Sequence, residues 1–186
     1  LAKARSLSAD YLFPSRLHDQ IMLEWALSQS GKDANAAFGL GNYYYDKKRH
    51  QEAIAVWQKY PDTGTIWRNL GIAQWNVNKD AMAARRAYKQ ALQLAPNDAR
   101  IFTEYDQLRE KLGDEASARL VALESRMELV SERDDCSVAL ATLYNDTNQP
   151  QKALDWLMSR RFHPWEGGEG KVLKQYTRAH LMLGEA

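Results

Sequence analysis

Apolar residues in this chain recur at helical spacing, interrupted at short intervals by turn-forming residues. Between Ala81 and Leu94 the apolar positions are Ala84, Ala87, Tyr88, Ala91 and Leu94, one stripe on a helix of 3.6 residues per turn. Pro96-Asn97-Asp98 closes that segment and supplies a cap for the next. Asn148-Gln149-Pro150 opens another, with proline in the first turn, where it is tolerated. Gly31-Lys32-Asp33 and Gly113-Asp114 are further breaks. No run alternates apolar and polar long enough to suggest a strand. The pattern predicts helices over 15–29, 35–46, 50–59, 64–77, 80–94, 98–112, 115–129, 134–147, 150–159 and 170–183.

These helices come in pairs that repeat. Trp67-x-x-Leu70-Gly71 precedes Ala84-x-x-x-Tyr88 and Pro96. Leu40-Gly41-x-x-Tyr44 precedes Ala53-x-x-x-Trp57, and Leu140-Ala141-x-x-Tyr144 precedes Ala153-x-x-x-Leu157. A weaker copy runs from Ile101 to Ala118-x-x-x-Ala122, and a half-copy starts near Leu173. Taking Leu40, Leu70, Glu104, Leu140 and Tyr176 as equivalent gives spacings of 30, 34, 36 and 36 residues. Small residues at one place and large ones at its partner let two helix backbones approach while filling the space between turns. Trp67 and Tyr88 are accordingly expected to be mostly buried. The pattern resembles the tetratricopeptide signature, with Gln74 where that signature has its first Tyr.

The resemblance implies an all-α fold, a right-handed α-α superhelix of tetratricopeptide-like helix pairs. The expected organisation is a single solenoid over 1–186. A capping helix spans 15–33, repeats span 34–62, 63–97, 98–133 and 134–169, and a further pair starts at 170–186. The chain begins at Leu1 without Met, and both ends read as cut from a longer protein.

Charge and composition narrow the function. With 25 basic and 24 acidic residues the net charge is +1, which argues against nucleic acid or an anionic membrane as main partner. No stretch approaches a membrane span of roughly 20 apolar residues. The single cysteine, Cys136, cannot form an internal disulfide and fits a reducing compartment, so a cytoplasmic location is expected. Beside Asp134 and Asp135, whose charges disfavour a thiolate, it reads as an inert thiol. His18, His50, His163 and His180 are scattered without metal-ligand spacing, and no nucleophile elbow is present. No catalytic residue, metal or cofactor is implied.

Particular stretches are similar to one bacterial family. They are Asp10–Arg16, Leu40-Gly41-Asn42-Tyr43, Trp67–Gly71 and the long run Ser159-Arg160-Arg161-Phe162-His163-Pro164-Trp165-Glu166-Gly167-Gly168-Glu169-Gly170-Lys171. They resemble the tetratricopeptide region of large bacterial proteins that carry an upstream domain of unknown function. That domain resembles a galactose-mutarotase-like β-sandwich, and such proteins are often linked to carbohydrate metabolism.

Two candidate binding surfaces follow. The first is the groove lined by the exposed side of each pair's first helix. The repeat register places Asn42 and Tyr45 there, then Arg68, Asn69, Trp75 and Asn76, then Phe102, Asp106 and Arg109. Asn, Arg and aromatic residues suit an extended peptide. Co-chaperones of this fold hold a C-terminal carboxylate with two Asn and three basic residues. Asn42 and Asn69 match the Asn positions, but Phe38, Ala99 and Thr103 stand at the basic ones, so that clamp is not expected. Of Tyr43-Tyr44-Tyr45, Tyr44 reads as core, whereas Tyr43 and Tyr45 could pack or meet a partner.

The second surface is the loop 160–171, with Arg160, Arg161, His163, Trp165, Glu166 and Glu169 around three glycines. It could dock another domain or contribute to a carbohydrate site. The favoured reading is a structural connector in which Phe162 and Trp165 plug the core and the glycines form a tight turn. The function that emerges is a module binding a protein, a peptide or an adjacent domain of the same chain. The alternative is an auxiliary domain of a carbohydrate-active enzyme that uses the loop at 160–171.

Overall fold

Four helices start where a polar side chain satisfies one of the first free backbone N–H groups. The Asp33 carboxylate accepts from the Ala36 N–H at 3.0 Å, the Thr63 hydroxyl from Ile66, Asp80 from Ala83 and Asp98 from Ile101. In the computed structural model, which describes residues 9, 12–30, 33–164 and 168–184, the helices are as follows. They are α1 (Leu17–Ser30), α2 (Ala34–Asp46), α3 (His50–Lys59), α4 (Gly64–Asn76), α5 (Ala81–Leu94), α6 (Ala99–Lys111), α7 (Ala116–Glu124), α8 (Met127–Ser131), α9 (Asp134–Asp146), α10 (Pro150–Met158) and α11 (Lys171–Leu183). No strand occurs among the described residues. The chain divides into two compact units, Leu1–Pro96 and Asn97–Ala186.

The turn inside each pair is the same device. One residue takes a left-handed conformation: Lys48 (φ 61°), Lys79 (φ 56°), Gly113 (φ 76°) and Asn148 (φ 57°). The following N–H reaches back to the first helix, Arg49 to Tyr44 O at 2.8 Å, Asp114 to Arg109 O at 3.0 Å and Gln149 to Tyr144 O at 2.7 Å. These bonds satisfy carbonyls left free at the helix end.

Within a pair, a small residue on the first helix admits a large one from the second. A Cβ built on Gly41 would stand 2.0 Å from Trp57 Nε1, and one on Gly71 would stand 2.7 Å from Tyr88 Cδ2. Trp57 and Tyr88 are buried accordingly. Trp67 is mostly buried, packed against the core of the first unit, with its indole N–H donating to Pro61 O at 2.9 Å.

The expected helix 115–129 is interrupted. The chain turns at Ser125-Arg126, where the Arg126 N–H bonds Leu123 O at 3.0 Å, and resumes as α8. At about 100° per residue a straight helix would carry Leu129 about 180° away from Leu120. The break lets Leu129 and Val130 both enter the core of the second unit.

A second device appears once in each unit. The Tyr44 hydroxyl donates to Glu24 Oε1 at 2.5 Å, and Arg49 lies over its ring at 4.3 Å. The Tyr144 hydroxyl donates to Glu124 Oε1 at 3.1 Å, with Lys152 over that ring at 5.4 Å. Burial first, then the neighbouring glutamate, push both phenols up to about 12.

Two outcomes are expected. Gly41→Ala should force Trp57 from its seat and cost about 1–3 kcal/mol, read as a lower urea midpoint at unchanged m. The unfolded chain ionises its tyrosines near 10.0, below the folded value. The stability from the two phenols is therefore complete below that pH and lost as pH rises toward 12. The loss should shrink in a Tyr44→Phe/Tyr144→Phe variant, measured by urea unfolding across that window.

Candidate partner-binding surfaces

The first candidate surface forms between α2 and α4 in the first unit. A cleft of about 320 Å³ is lined by Asn42, Tyr45, Trp57, Arg68, Asn69 and Ile72, with Asp46 at its edge. Four residues singled out from the sequence, Asn42, Tyr45, Arg68 and Asn69, thus converge. One face of α2 and α4 supplies them because helix residues a turn apart share a face.

The polar groups are ordered in a relay. Arg68 Nη1 donates to Asn69 Oδ1 at 3.1 Å, and Asn69 Nδ2 donates to Asn42 Oδ1 at 2.9 Å. Arginine can only donate, so each amide orientation follows, and Asn42 keeps its Nδ2 end as a donor. The Trp57 Nε1–H, by contrast, is sealed against Gly41, buried and without a hydrogen-bond partner among the described residues. The Tyr45 ring lies 5.8 Å from that of Trp57 and 4.6 Å from His50, forming an aromatic wall. Tyr43 is core. Trp75 is half-buried and Asn76 exposed, and neither lines this cleft.

In the second unit the expected register is off by one residue. Counted from the helix caps Asp33, Thr63, Asp98 and Arg133, the equivalent of Leu40, Leu70 and Leu140 is Tyr105, not Glu104. Asp106 therefore occupies the place of Gly41, Gly71 and Ala141, which faces the paired helix. It is 3% exposed and accepts from Arg119 Nε at 3.0 Å and Nη2 at 2.7 Å. It is no groove residue. Arg109 Nε donates to Asp114 at 2.9 Å, which ties the end of α6 to the turn. Phe102 packs against the core. The same correction moves the co-chaperone basic places from Ala99 and Thr103 to Arg100 and Glu104, which pair with each other at 3.0 Å.

The loop after α10 is anchored at its start. Arg160 donates to Asp134 Oδ1 at 2.9 Å, to Ser131 O at 3.0 Å and to the Ser137 hydroxyl, and its guanidinium lies between the rings of Trp156 and Phe162. The His163 N–H donates to Asp134 Oδ2 at 2.7 Å, and its ring Nδ1 lies 3.1 Å from the same oxygen. Burial pushes Asp134 up, but His163 and Arg160 outweigh it and hold the carboxyl below its usual range. Arg161 and Glu169 are exposed. Trp165 and Glu166 lie outside the described residues.

Cys136 is fully buried, and burial raises its thiol to about 11. No group of three His, Cys, Asp or Glu able to hold a metal occurs among the described residues. No described helix is long and apolar enough to cross a membrane.

Comparison with solved structures accounts for this architecture. A TPR-domain protein from Parabacteroides distasonis superimposes with a TM-score of 0.66 at 20% identity, over 88% of this chain and 28% of that one. YrrB, described as a TPR protein with an unusual peptide-binding site, gives 0.57 at 19% identity, over 89% and 80% of the two chains. MamA gives 0.58 at 14% identity, over 89% and 87%. The fold is that of tetratricopeptide-repeat proteins. It belongs to the α-α superhelix class that the repeats implied. No family model matches the chain.

Asp106→Ala should leave Arg119 buried without its partner and cost about 3–5 kcal/mol. Thermal unfolding monitored by circular dichroism reads the loss, and Arg100→Ala, on the exposed face of the same helix, should leave the transition nearly unchanged.

Proposed function

We propose that the chain is a non-catalytic interaction module that holds an extended peptide segment, from another protein or from an adjacent domain of its own chain, in the cleft between α2 and α4. The observation that carries this reading is the Arg68–Asn69–Asn42 relay, which leaves the Asn42 Nδ2 end as a donor in the cleft. The Asn42 amide donor in a largely apolar cleft suits a peptide carbonyl, and the Tyr45 wall suits a side chain beside it. Helix pairs of this kind are a rigid support for such a face, and the peptide-binding site named for YrrB, a protein of the same fold, agrees with it. We place the module in the cytoplasm, where the lone buried thiol of Cys136 stays reduced.

The loop at 160–171 fits the connector reading better than a carbohydrate site. Arg160 and His163, two of its candidate ligand-binding groups, are engaged with Asp134.

Arg68→Ala removes the first donor of the relay without opening the core. It should weaken capture of peptides selected by phage display on the full chain by about 1–2 kcal/mol, roughly five- to thirtyfold in Kd. Isothermal titration of the selected peptides, alongside unchanged thermal unfolding, checks this. Selected peptides that bind Arg68→Ala and Asn42→Ala as tightly as the parent would sink the assignment.

A further inference from the structure

The second unit carries a cleft of its own that the sequence register concealed. It has a volume of about 430 Å³. Gln107 and Thr142 line it from the places that Asn42 and Ile72 hold in the first unit, counted from the helix caps. Its floor is Val138 and Ala139. Its charges are uneven. Arg119 is taken up by Asp106 at 2.7 Å and lies 3.4 Å from Glu110, and Asp135 is held by Arg133 at 2.9 Å. Lys111, Lys171 and Lys174 also line the cleft, and none of them pairs with a carboxylate among the described residues.

Two of these lysines stand where a cation is least favoured. Lys171 and Lys174 lie in the first turn of α11, which has no acidic residue there and no side-chain cap. The helix dipole already places roughly half a positive charge at that end. Positive potential thus gathers at the α11 rim of a cleft that Glu110 and Asp135 also line.

A separate observation points to a ligand. Gln175 is 6% exposed and lines the same cleft. Asn145 Nδ2 donates both to Gln175 O and to Gln175 Oε1, each at 3.1 Å. The bond to the backbone carbonyl fixes that atom of Asn145 as nitrogen. The atom of Gln175 facing it is therefore oxygen, and the amide must turn its Nε2 donors the other way. Those donors have no hydrogen-bond partner among the described residues.

We propose that this cleft, between α6, α9 and the start of α11, is a subsite for a carboxylate side chain of an extended acidic peptide, received by Lys171, Lys174 and Gln175. For its ligand class the proposal rests on the peptide-binding reading above, but not on the cleft between α2 and α4. Lys171 and Lys174 supply charge-assisted hydrogen bonds, and Gln175 fixes the position. Lys111 attracts a second acid on the same peptide, Gln107 and Thr142 offer polar contacts to its backbone, and Val138 and Ala139 take a small apolar side chain. Glu110 and Asp135 on the same walls repel a polyanion, which favours isolated carboxylates over a nucleic acid.

The test uses the full chain and two fluorescein-labelled decapeptides, amidated at the C-terminus, one of alternating Glu and Ala and one of alternating Gln and Ala. By fluorescence anisotropy at low salt the Glu peptide should bind about tenfold tighter than the Gln peptide, the worth of about one charged contact. That preference should fade as NaCl rises to about 0.5 M. Lys174→Glu should abolish the preference and slightly raise the melting temperature, because an acid in the first turn suits the dipole. Lys89→Glu, an equal charge change on α5, should keep it. Equal binding of the two peptides overturns the subsite, and if both bind, the peptide module of the first unit still stands. A Glu preference that survives Lys174→Glu, or tighter binding of decauridylate than of the Glu peptide, also overturns it.

Discussion

The close approach of two helices within a pair is the constraint on which the rest depends. Gly41 and Gly71 leave no room for a Cβ because Trp57 and Tyr88 occupy that volume. A ring seated there fixes the spacing and rotation of the pair, and so decides which residues of the first helix face inward. The third pair meets the constraint differently. Asp106 stands where the others have Gly or Ala, and Ala122 stands where they have Trp57, Tyr88 and Leu157, counted from the left-handed turn residues. Arg119, one turn earlier on α7, reaches across to fill the gap. A steric fit has been exchanged for a buried ion pair that must remain whole, since either charge alone in that position is strongly unfavourable.

Each unit then adds a clasp from tyrosine to glutamate. Tyr44 and Tyr144 sit at the repeat's aromatic position and pack as core, but their hydroxyls reach Glu24 and Glu124 on preceding helices. The cations Arg49 and Lys152 cover the rings from the start of the following helix. One side chain thus links three helices through apolar packing, a charge-assisted hydrogen bond and a cation–π contact.

The binding chemistry proposed for each unit uses the groups this framework leaves over. In the first unit Asn69 and Arg68 orient the Asn42 amide in its cleft, while Gly41 seats Trp57 beneath it. In the second, Asn145 turns the Gln175 amide while Lys171 and Lys174 gather at an uncapped helix end. Both clefts are lined largely from the first helices of the pairs, with Trp57 and Arg119 contributed by second helices. The start of the loop after α10, a stretch that stands out most in the sequence, is held by Arg160 and His163 to Asp134.

Helix periodicity and turn residues determined the elements. Apolar spacing marks Ala81–Leu94 and capping groups such as Asp98 mark helix starts, because both are local properties of the chain. The repeat of small and large residues determined the pairing for the same reason, and it was enough to bring Asn42, Tyr45, Arg68 and Asn69 to one face. What only the tertiary structure decided were features set by partners distant in sequence. The break at Ser125-Arg126 depends on a core that receives both Leu129 and Val130. The register of the third pair depends on Arg119 meeting Asp106, a polar solution that no apolar pattern announces. The orientation of Gln175 depends on Asn145, thirty residues away. Periodicity records which face of a helix is buried, whereas the direction of a hydrogen bond or the pairing of a buried charge exists only once the helices are packed.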